Sequence, residues 1–506
     1  MSDEPKVALY LGYESVIGLE VHTHLRTDSK LFSPAPVRYG DEPNCNTHPI
    51  DLALPGVLPV LNRAVIDLAI RVGLATNSTI NERSVFSRKN YFYPDLPKGY
   101  QISQYEEPTV SDGWLEIEVP VATGGKKGKK GKQGKQAEPT KKRVGITRAH
   151  LEEDAGKSIH DSALAGSGTL VDLNRSGVAL LEIVSEPDLR SAAEASAYLR
   201  KLRAILRYIG VSDADMEKGQ FRCDANISLR RPGDELGTRT EIKNLNSFAF
   251  VEAAINAEIE RQAEVLDDGG EVVQATMAFD SNTNRTSVMR LKENADDYRY
   301  FDDPDLIPLQ ITEADVEAVR AVLPELPDAK RDRFEGDFGL SRMDATTLTA
   351  NLVLAQLFEA TLEVYNQPKS IANWIQRDVL QFIRDKDIEI EATALTPANL
   401  ASLVELVDTG RLTVKNGREV FLALAESGGD PAQIMAERSL EAVQDTGLIE
   451  GVAKEVLANN PDSVTAYREG DGKVLNFLMG QVMKATKGKA SPADVKRILE
   501  SELQAS

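Results

Sequence analysis

Glu20 and His22 stand two residues apart in Ile17-Gly18-Leu19-Glu20-Val21-His22, where apolar residues fall on every second position. On a strand, residues two apart project from one side, so this carboxylate and this imidazole share a face. By itself such a face also fits a solvated sheet surface. Other acids shift the balance. His150-Leu151-Glu152-Glu153-Asp154 ends in three consecutive carboxylates, which repel one another unless exposed or bound to a cation. Glu182 interrupts the apolar run Val178-Ala179-Leu180-Leu181-Glu182-Ile183-Val184. An unpaired carboxylate there is costly, so Glu182 lies at a sheet edge or has a partner. Carboxylates with one imidazole suit a hard divalent ion: oxygen donors favour Mg²⁺, and the histidine admits Mn²⁺. Spacing alone does not bring these segments together.

Other chemistries find no template. Gly156-Lys157-Ser158 ends like a phosphate-binding P-loop, but Leu151 stands where that loop needs its first glycine. No HExxH, GxSxG or CxxC pattern occurs, which removes support for zinc-peptidase, α/β-hydrolase and thioredoxin-like chemistry. A nucleotide, if used, is held by a nonstandard site.

The elements that must position these groups follow from periodicity. Ile17, Leu19, Val21, Thr23 and Leu25 form one face of a strand whose other face carries Glu20 and His22. A second alternating run, Gln220 to Arg230, turns Phe221, Cys223, Ala225, Ile227 and Leu229 inward and Arg222, Asp224 and Asn226 outward. Leu170–Asn174 and Val178–Val184 flank Arg175-Ser176-Gly177, which reads as a hairpin. A helix is expected from Ser191 to Ile209, stopped by Gly210, and another from Ser247, with Val251, Ile255 and Ile259 at helical spacing. Strands overlaid by helices give an α+β class. From Thr312 onward helical periodicity takes over: Ile371, Trp374, Ile375, Val379 and Phe382 make a stripe. Thr396-Pro397 and Ser491-Pro492 are helix starts, each a hydroxyl N-cap followed by proline. The expected divisions are 1–309, 310–440 and 441–506. Residues 124–142, with eight lysines and almost nothing apolar, read as a flexible surface insertion.

The chain has 506 residues, 42% of them hydrophobic and 27% charged, which suits a soluble protein of several domains. It has no apolar run of bilayer length, a polar opening from Met1 to Lys6, and only two cysteines, Cys45 and Cys223. A cytoplasmic, reducing location without membrane association is expected. A net charge of −20 argues against a wholly basic nucleic-acid-binding surface, so a polyanionic partner must meet a local basic patch. Lys473 to Ser506 supplies one, with six basic and three acidic residues, including Lys484, Lys487 and Lys489 around Gly488.

Taken in order, these segments resemble the B subunits of bacterial aspartyl/glutamyl-tRNA amidotransferases. The similarity rests on Ile17–His22, Leu54–Asn62, Arg88–Tyr105, His150–Lys157, Val171–Arg175, Arg222–Asn226, Glu241–Ser247, Asp297–Phe301 and Phe477–Lys484, blocks that span nearly the whole chain. The fold implied is an N-terminal cradle domain built on an antiparallel β-sheet, an all-helical domain, and a small YqeY-like helical tail that binds tRNA. The activity implied is ATP-dependent phosphorylation of the side-chain carboxylate of Glu-tRNA(Gln) or Asp-tRNA(Asn), followed by amide formation. The ammonia comes from a glutaminase A subunit, and a small C subunit completes a heterotrimer. Metal ligands carried over by the resemblance are Glu20, His22, Glu153 and Glu182. Lys98, Lys243, Asp224 and Glu241 become candidates for handling phosphate or ammonia, although Lys243 and Glu241 also suit a simple ion pair along one strand face. One departure stands out: His48-Pro49-Ile50-Asp51 occupies the place of a Cys-Pro-x-Cys found in many relatives, which puts a structural zinc there in doubt.

Overall fold

The computed structural model describes residues 9–119, 139–159, 168–291, 295–442, 446–468, 471–486 and 488–505. Its strands are β1 (Glu14–His24), β2 (Thr79–Ile80), β3 (Arg83–Ser84), β4 (Ser87–Asn90), β5 (Tyr100–Ser103), β6 (Val110–Val119), β7 (Thr140–Glu153), β8 (Lys157–Ile159), β9 (Leu170–Asp172), β10 (Ala179–Ser185), β11 (Phe221–Arg230), β12 (Thr240–Leu245), β13 (Ala275–Asp280), β14 (Arg285–Leu291), β15 (Phe301–Asp302) and β16 (Leu309–Gln310). Twelve join one sheet in the order β14-β13-β12-β11-β1-β10-β7-β5-β4-β15, with β6 beside β7 and β2 beside β6. Pairing is antiparallel except between β12 and β13, which run parallel.

The alternation read from β1 and β11 is realised. Ile17, Leu19, Val21, Phe221, Cys223, Ala225 and Ile227 are buried in one core with Leu181 and Ile183 of β10. Helices α1 (Ala64–Ala75), α2 (Ala192–Tyr208) and α3 (Phe248–Asp267) contribute to that core. Leu199, Leu202 and Leu206 of α2 recur at helical spacing and are fully buried, each burial worth about 1.5–3 kcal/mol. Ser191 caps α2 by accepting the Glu194 amide at 3.2 Å, and Ser247 caps α3 by accepting that of Phe250 at 3.1 Å. Gly210 follows α2 with φ +69°, the left-handed conformation that ends helices. From Glu20 onward the even-numbered face of β1 is thereby left to polar residues.

Two expectations need correction. Leu170–Asn174 and Val178–Val184 do not form a hairpin: β9 pairs with β8, whereas β10 lies between β1 and β7. The turn itself exists, closed by Val178 N–H donating to the Arg175 carbonyl at 3.0 Å, but it links different sheets. The lysine-rich insertion is also shorter than read. Thr140, Lys141 and Lys142 belong to β7, where Lys141 bonds Glu116 and Lys142 bonds Glu194; residues 124–138 lie outside those described.

The chain divides into two compact units, 1–326 and 327–506. Helix α4 (Glu313–Val322) stays with the first, because Val319 is buried in its core and Arg63 at the head of α1 bonds Asp315 at 2.5 Å. That unit therefore runs past residue 309.

The second unit consists of helices: α5 (Pro327–Phe338), α6 (Arg342–Leu348), α7 (Leu352–Val364), α8 (Pro368–Trp374), α9 (Leu380–Lys386), α10 (Pro397–Asp408), α11 (Val414–Ser427), α12 (Pro431–Glu437), α13 (Thr446–Ala458), α14 (Pro461–Arg468), α15 (Val474–Ala485) and α16 (Pro492–Ala505). One hydrophobic core spans Phe334 to Met435, and a separate one spans Ile449 to Leu503. The stripe Ile371, Trp374, Ile375, Val379 and Phe382 is buried, with a π turn at Ile375–Val379 joining α8 to α9. Thr396 caps α10 as expected, accepting the Asn399 amide. Among the described residues no helix is long and apolar enough to cross a membrane.

Candidate functional site

Strand pairing decides which acids meet. His22 lies opposite Glu182, and Glu182 lies opposite His150, so the three share the polar face across β1, β10 and β7. Glu152, two residues from His150, falls on the same side. His22 Nε2 is 3.3 Å from Glu182 and 3.7 Å from Glu152, and His150 Nε2 is 3.3 Å from Glu182. The Arg148 Nε–H donates to His150 Nδ1 at 3.4 Å. That leaves the His150 proton on Nε2, aimed at Glu182, so His150 orients the carboxylate.

A second group adjoins it on β1, β11 and β12. Glu20, Asp224 and Glu241 face one another, and the Lys243 ammonium bonds Asp224 at 2.9 Å and Glu241 at 3.1 Å. Asn226 Nδ2–H donates to Glu20 at 2.9 Å.

Electrostatics separates the two groups. Burial disfavours the Glu182 charge, yet His150 and His22 hold its carboxyl well below the usual range. Burial likewise opposes a charged His22, but Glu182, Glu152 and Asp224 together push it up to about 9. Glu20 is raised, by burial first and then by Glu182, Glu241 and Asp224. Burial also opposes the Lys243 charge, which Asp224 and Glu241 more than restore.

Both groups have the donors for a divalent ion: one ligand atom from each of His22, Glu152 and Glu182, or of Glu20, Asp224 and Glu241, falls within 4.8 Å of the others. The first fits better. In the second, an ammonium already neutralises two of the three acids, whereas the acids of the first stand against the His22 imidazole, whose proton a metal ligand gives up.

Two cavities meet at this cluster. The larger, about 260 Å³, is bordered by Glu20, His150 and Glu182 and rimmed with Lys89, Arg148, Arg239, Lys243 and Arg290. The smaller, about 190 Å³, is bordered by His22, Glu152, Asp154 and Arg222. Lys89 and Lys243 line both. The Lys89 ammonium lies over the rings of Tyr298, at 5.0 Å, and Tyr91, at 6.0 Å. Tyr300 stacks on Tyr105 with ring centroids 4.2 Å apart.

The expected ligand set Glu20, His22, Glu153 and Glu182 is thus not assembled as one group. His22 and Glu182 meet, Glu20 belongs to the neighbouring carboxylates, and Glu153 points to the opposite face. There Glu153 bonds Lys98 and accepts the Ile102 amide at 2.9 Å. Lys98 lines a separate cavity of about 220 Å³ with Ile50, Leu54, Val57 and Ile102. Asp224, Glu241 and Lys243 lie together, as both the ion-pair and the chemical reading required. In the tail, Lys484 is exposed, Lys489 is half-buried, and Lys487 lies outside the described residues.

Sequence reasoning missed Glu152 as a candidate ligand, His150 as a neighbour of Glu182, and Lys89, Arg148 and Arg222 as cavity walls. The signal was parity: His150 and Glu152 share a face, but only the register with Glu182 says which face that is. At the departing segment, Asp51 accepts from Lys30 at 3.1 Å and Ser33 at 2.8 Å, both buried, and from the His48 amide at 2.9 Å. A charge pair pins this loop.

Comparison with known proteins gives the family. Residues 15–317 match the family described as the GatB/GatE catalytic domain, and residues 356–503 match the GatB domain. The B subunit of the aspartyl/glutamyl-tRNA(Asn/Gln) amidotransferase from Geotalea daltonii is 52% identical, covering 97% of this chain and 99% of that protein. Its namesakes from Persephonella marina and Staphylococcus carnosus are 50% and 48% identical over 97% of this chain, and over 100% and 99% of their own lengths. The chain belongs to the family of aspartyl/glutamyl-tRNA(Asn/Gln) amidotransferase B subunits.

Proposed function

We propose that this chain is the B subunit of a tRNA-dependent amidotransferase. It activates the side-chain carboxylate of Glu-tRNA(Gln) or Asp-tRNA(Asn) with ATP and converts it to the amide, using ammonia from a glutaminase A subunit in a complex completed by a small C subunit. The observation that carries this reading is the His22–Glu152–Glu182 group at the junction of two polar cavities. A reaction joining two anions needs two adjoining compartments and countercharge between them.

The residues divide the work. His22, Glu152 and Glu182 would hold Mg²⁺ or Mn²⁺, which when bound screens the approach of a carboxylate to a triphosphate. Lys89, Arg148, Arg239 and Arg290 in the larger cavity offer cationic contacts to the phosphates of ATP. His150 keeps Glu182 oriented, and Arg148 keeps His150 in the tautomer that does so. Asp224 and Glu241 hold the Lys243 ammonium at the border of both cavities, and as carboxylates they can take a proton from incoming ammonia once it adds to the activated acyl group. Basic residues of the tail, Lys484, Lys487 and Lys489, are assigned to tRNA phosphates.

The test uses the complex reconstituted from all three subunits. Glu182→Gln should abolish ATP-dependent conversion of Glu-tRNA(Gln) while leaving tRNA affinity within about twofold. Intact conversion in that variant would instead make the chain a docking scaffold whose chemistry lies in another subunit.

A further inference from the structure

We infer that Arg222 receives the carboxylate of the aminoacyl group in the smaller cavity, and that Asp154 is the positioning residue that holds Arg222 for this task. The inference deepens the proposed function and rests on it.

Arg222 faces His22 across the β1–β11 pair, so its side chain shares the polar face with the candidate metal ligands. It lines the cavity of about 190 Å³ together with His22, Glu152 and Lys243. That volume lies below the ~300–1,000 Å³ usual for a whole drug-sized ligand and suits a short acidic side chain. The guanidinium has five N–H bonds and cannot accept a hydrogen bond. Nη2 donates to Asp154 at 2.9 Å. Nε is buried without any acceptor, and about a fifth of the side chain remains exposed. Buried donors without partners are uncommon, and a cation with donors to spare beside a small cavity calls for an oxyanion. Ammonia, which binds through acceptors in its protonated form, is not its ligand.

Asp154 explains why the group keeps its orientation. Its carboxylate accepts from His24 Nε2 at 2.8 Å, from Arg222 at 2.9 Å and from the Ala155 amide at 2.9 Å, and Arg175 Nε stands 3.4 Å away. These donors come from β1, β11 and the two loops flanking β8 and β9, so the clamp is fixed from several directions. A mere counter-ion for Asp154 would need no room in front of it, yet Arg222 forms part of a cavity wall.

The experiment measures charge recognition in the three-subunit complex, without ATP and in the presence of Mg²⁺, by competition binding of Glu-tRNA(Gln) and its neutral amide Gln-tRNA(Gln). Wild type should prefer the acid roughly tenfold or more, as a charge-assisted hydrogen bond allows. Arg222→Gln should bring the ratio close to one without weakening the amide form, and Arg222→Lys, which keeps the charge but loses the planar fork, should retain part of it. Asp154→Asn should lower the ratio less than Arg222→Gln and reduce turnover more than apparent affinity. An Arg222→Gln or Arg222→Lys complex of normal melting temperature with the wild-type ratio overturns the inference, as does a wild type without preference. If Arg222→Gln does not fold, Arg222→Lys decides. Failure of the proposed function looks different: the wild-type complex would then form no amide when ATP is supplied.

Discussion

Leu151, Glu152 and Glu153 are consecutive, yet each meets a different environment: the hydrophobic core, the polar cluster of His22 and Glu182, and the Lys98 ammonium. Backbone parity does the sorting, and a one-residue shift in β7 would exchange the two acids. Glu152→Gln should therefore weaken Mn²⁺ binding by more than tenfold in calorimetric titration, whereas Glu153→Gln should leave it within about twofold. The second variant loses stability instead, because Lys98 keeps a charge in a mostly buried place; about 3 kcal/mol by urea denaturation is the expected size. Glu182 stood out as a carboxylate inside an apolar run, and Glu20 and His22 as an acid and an imidazole sharing one strand face. Choosing between Glu152 and Glu153 required knowing that β7 lies beside β10, and no local pattern encodes that neighbour.

Elements were legible wherever local chemistry dictates them. The helix starts at Ser191 and Ser247, the hydroxyl cap at Thr396 and the buried alternation of β1 and β11 follow from short-range rules, and the structure holds them as read. The supposed hairpin failed because a turn fixes direction but not partner: β10 is recruited between β1 and β7, where its almost uniformly buried residues find cover on both sides. The loop after β1 is pinned by Lys30 and Asp51, both buried, so Asp51→Ala should strand a lysine charge and cost about 3–5 kcal/mol in chemical denaturation. At the start of α6, Asp344 is held down to about 2, chiefly by its bond to Lys369, with Ser341 and Gln376 adding to it. A carboxyl depressed on folding stabilises the native state above its unfolded pKa of roughly 4, and that contribution fades as pH falls towards 2. Asp344→Asn should therefore lower the melting temperature at pH 6 and bring variant and wild type together as the solution approaches pH 2.

At the scale of the molecule, the proposed function asks an acidic chain of net charge −20 to hold a polyanion. Countercharge therefore has to be local, in the tail and in the rim of the larger cavity. Replacing Lys484 and Lys489 with glutamate should weaken tRNA binding and shallow the dependence of log Kd on log salt concentration by about one to two units, since a phosphate that no longer meets a lysine keeps its counterion. Mn²⁺ binding should not change, as these lysines belong to a different unit from the metal cluster. Composition could announce the mismatch between charge and partner; only the assembled surfaces say where it is resolved.

Lys89 and Lys243 border both cavities, and this shared wall has a consequence for the order of events. Two negatively charged guests drawing on the same pair of ammonium groups must each lower the other's affinity, and by linkage they do so by equal factors. A divalent ion, if held by His22, Glu152 and Glu182, would relieve that antagonism. Its concentration should therefore set the apparent cooperativity between nucleotide and aminoacyl-tRNA, turning mutual exclusion at low metal into joint occupancy at high metal.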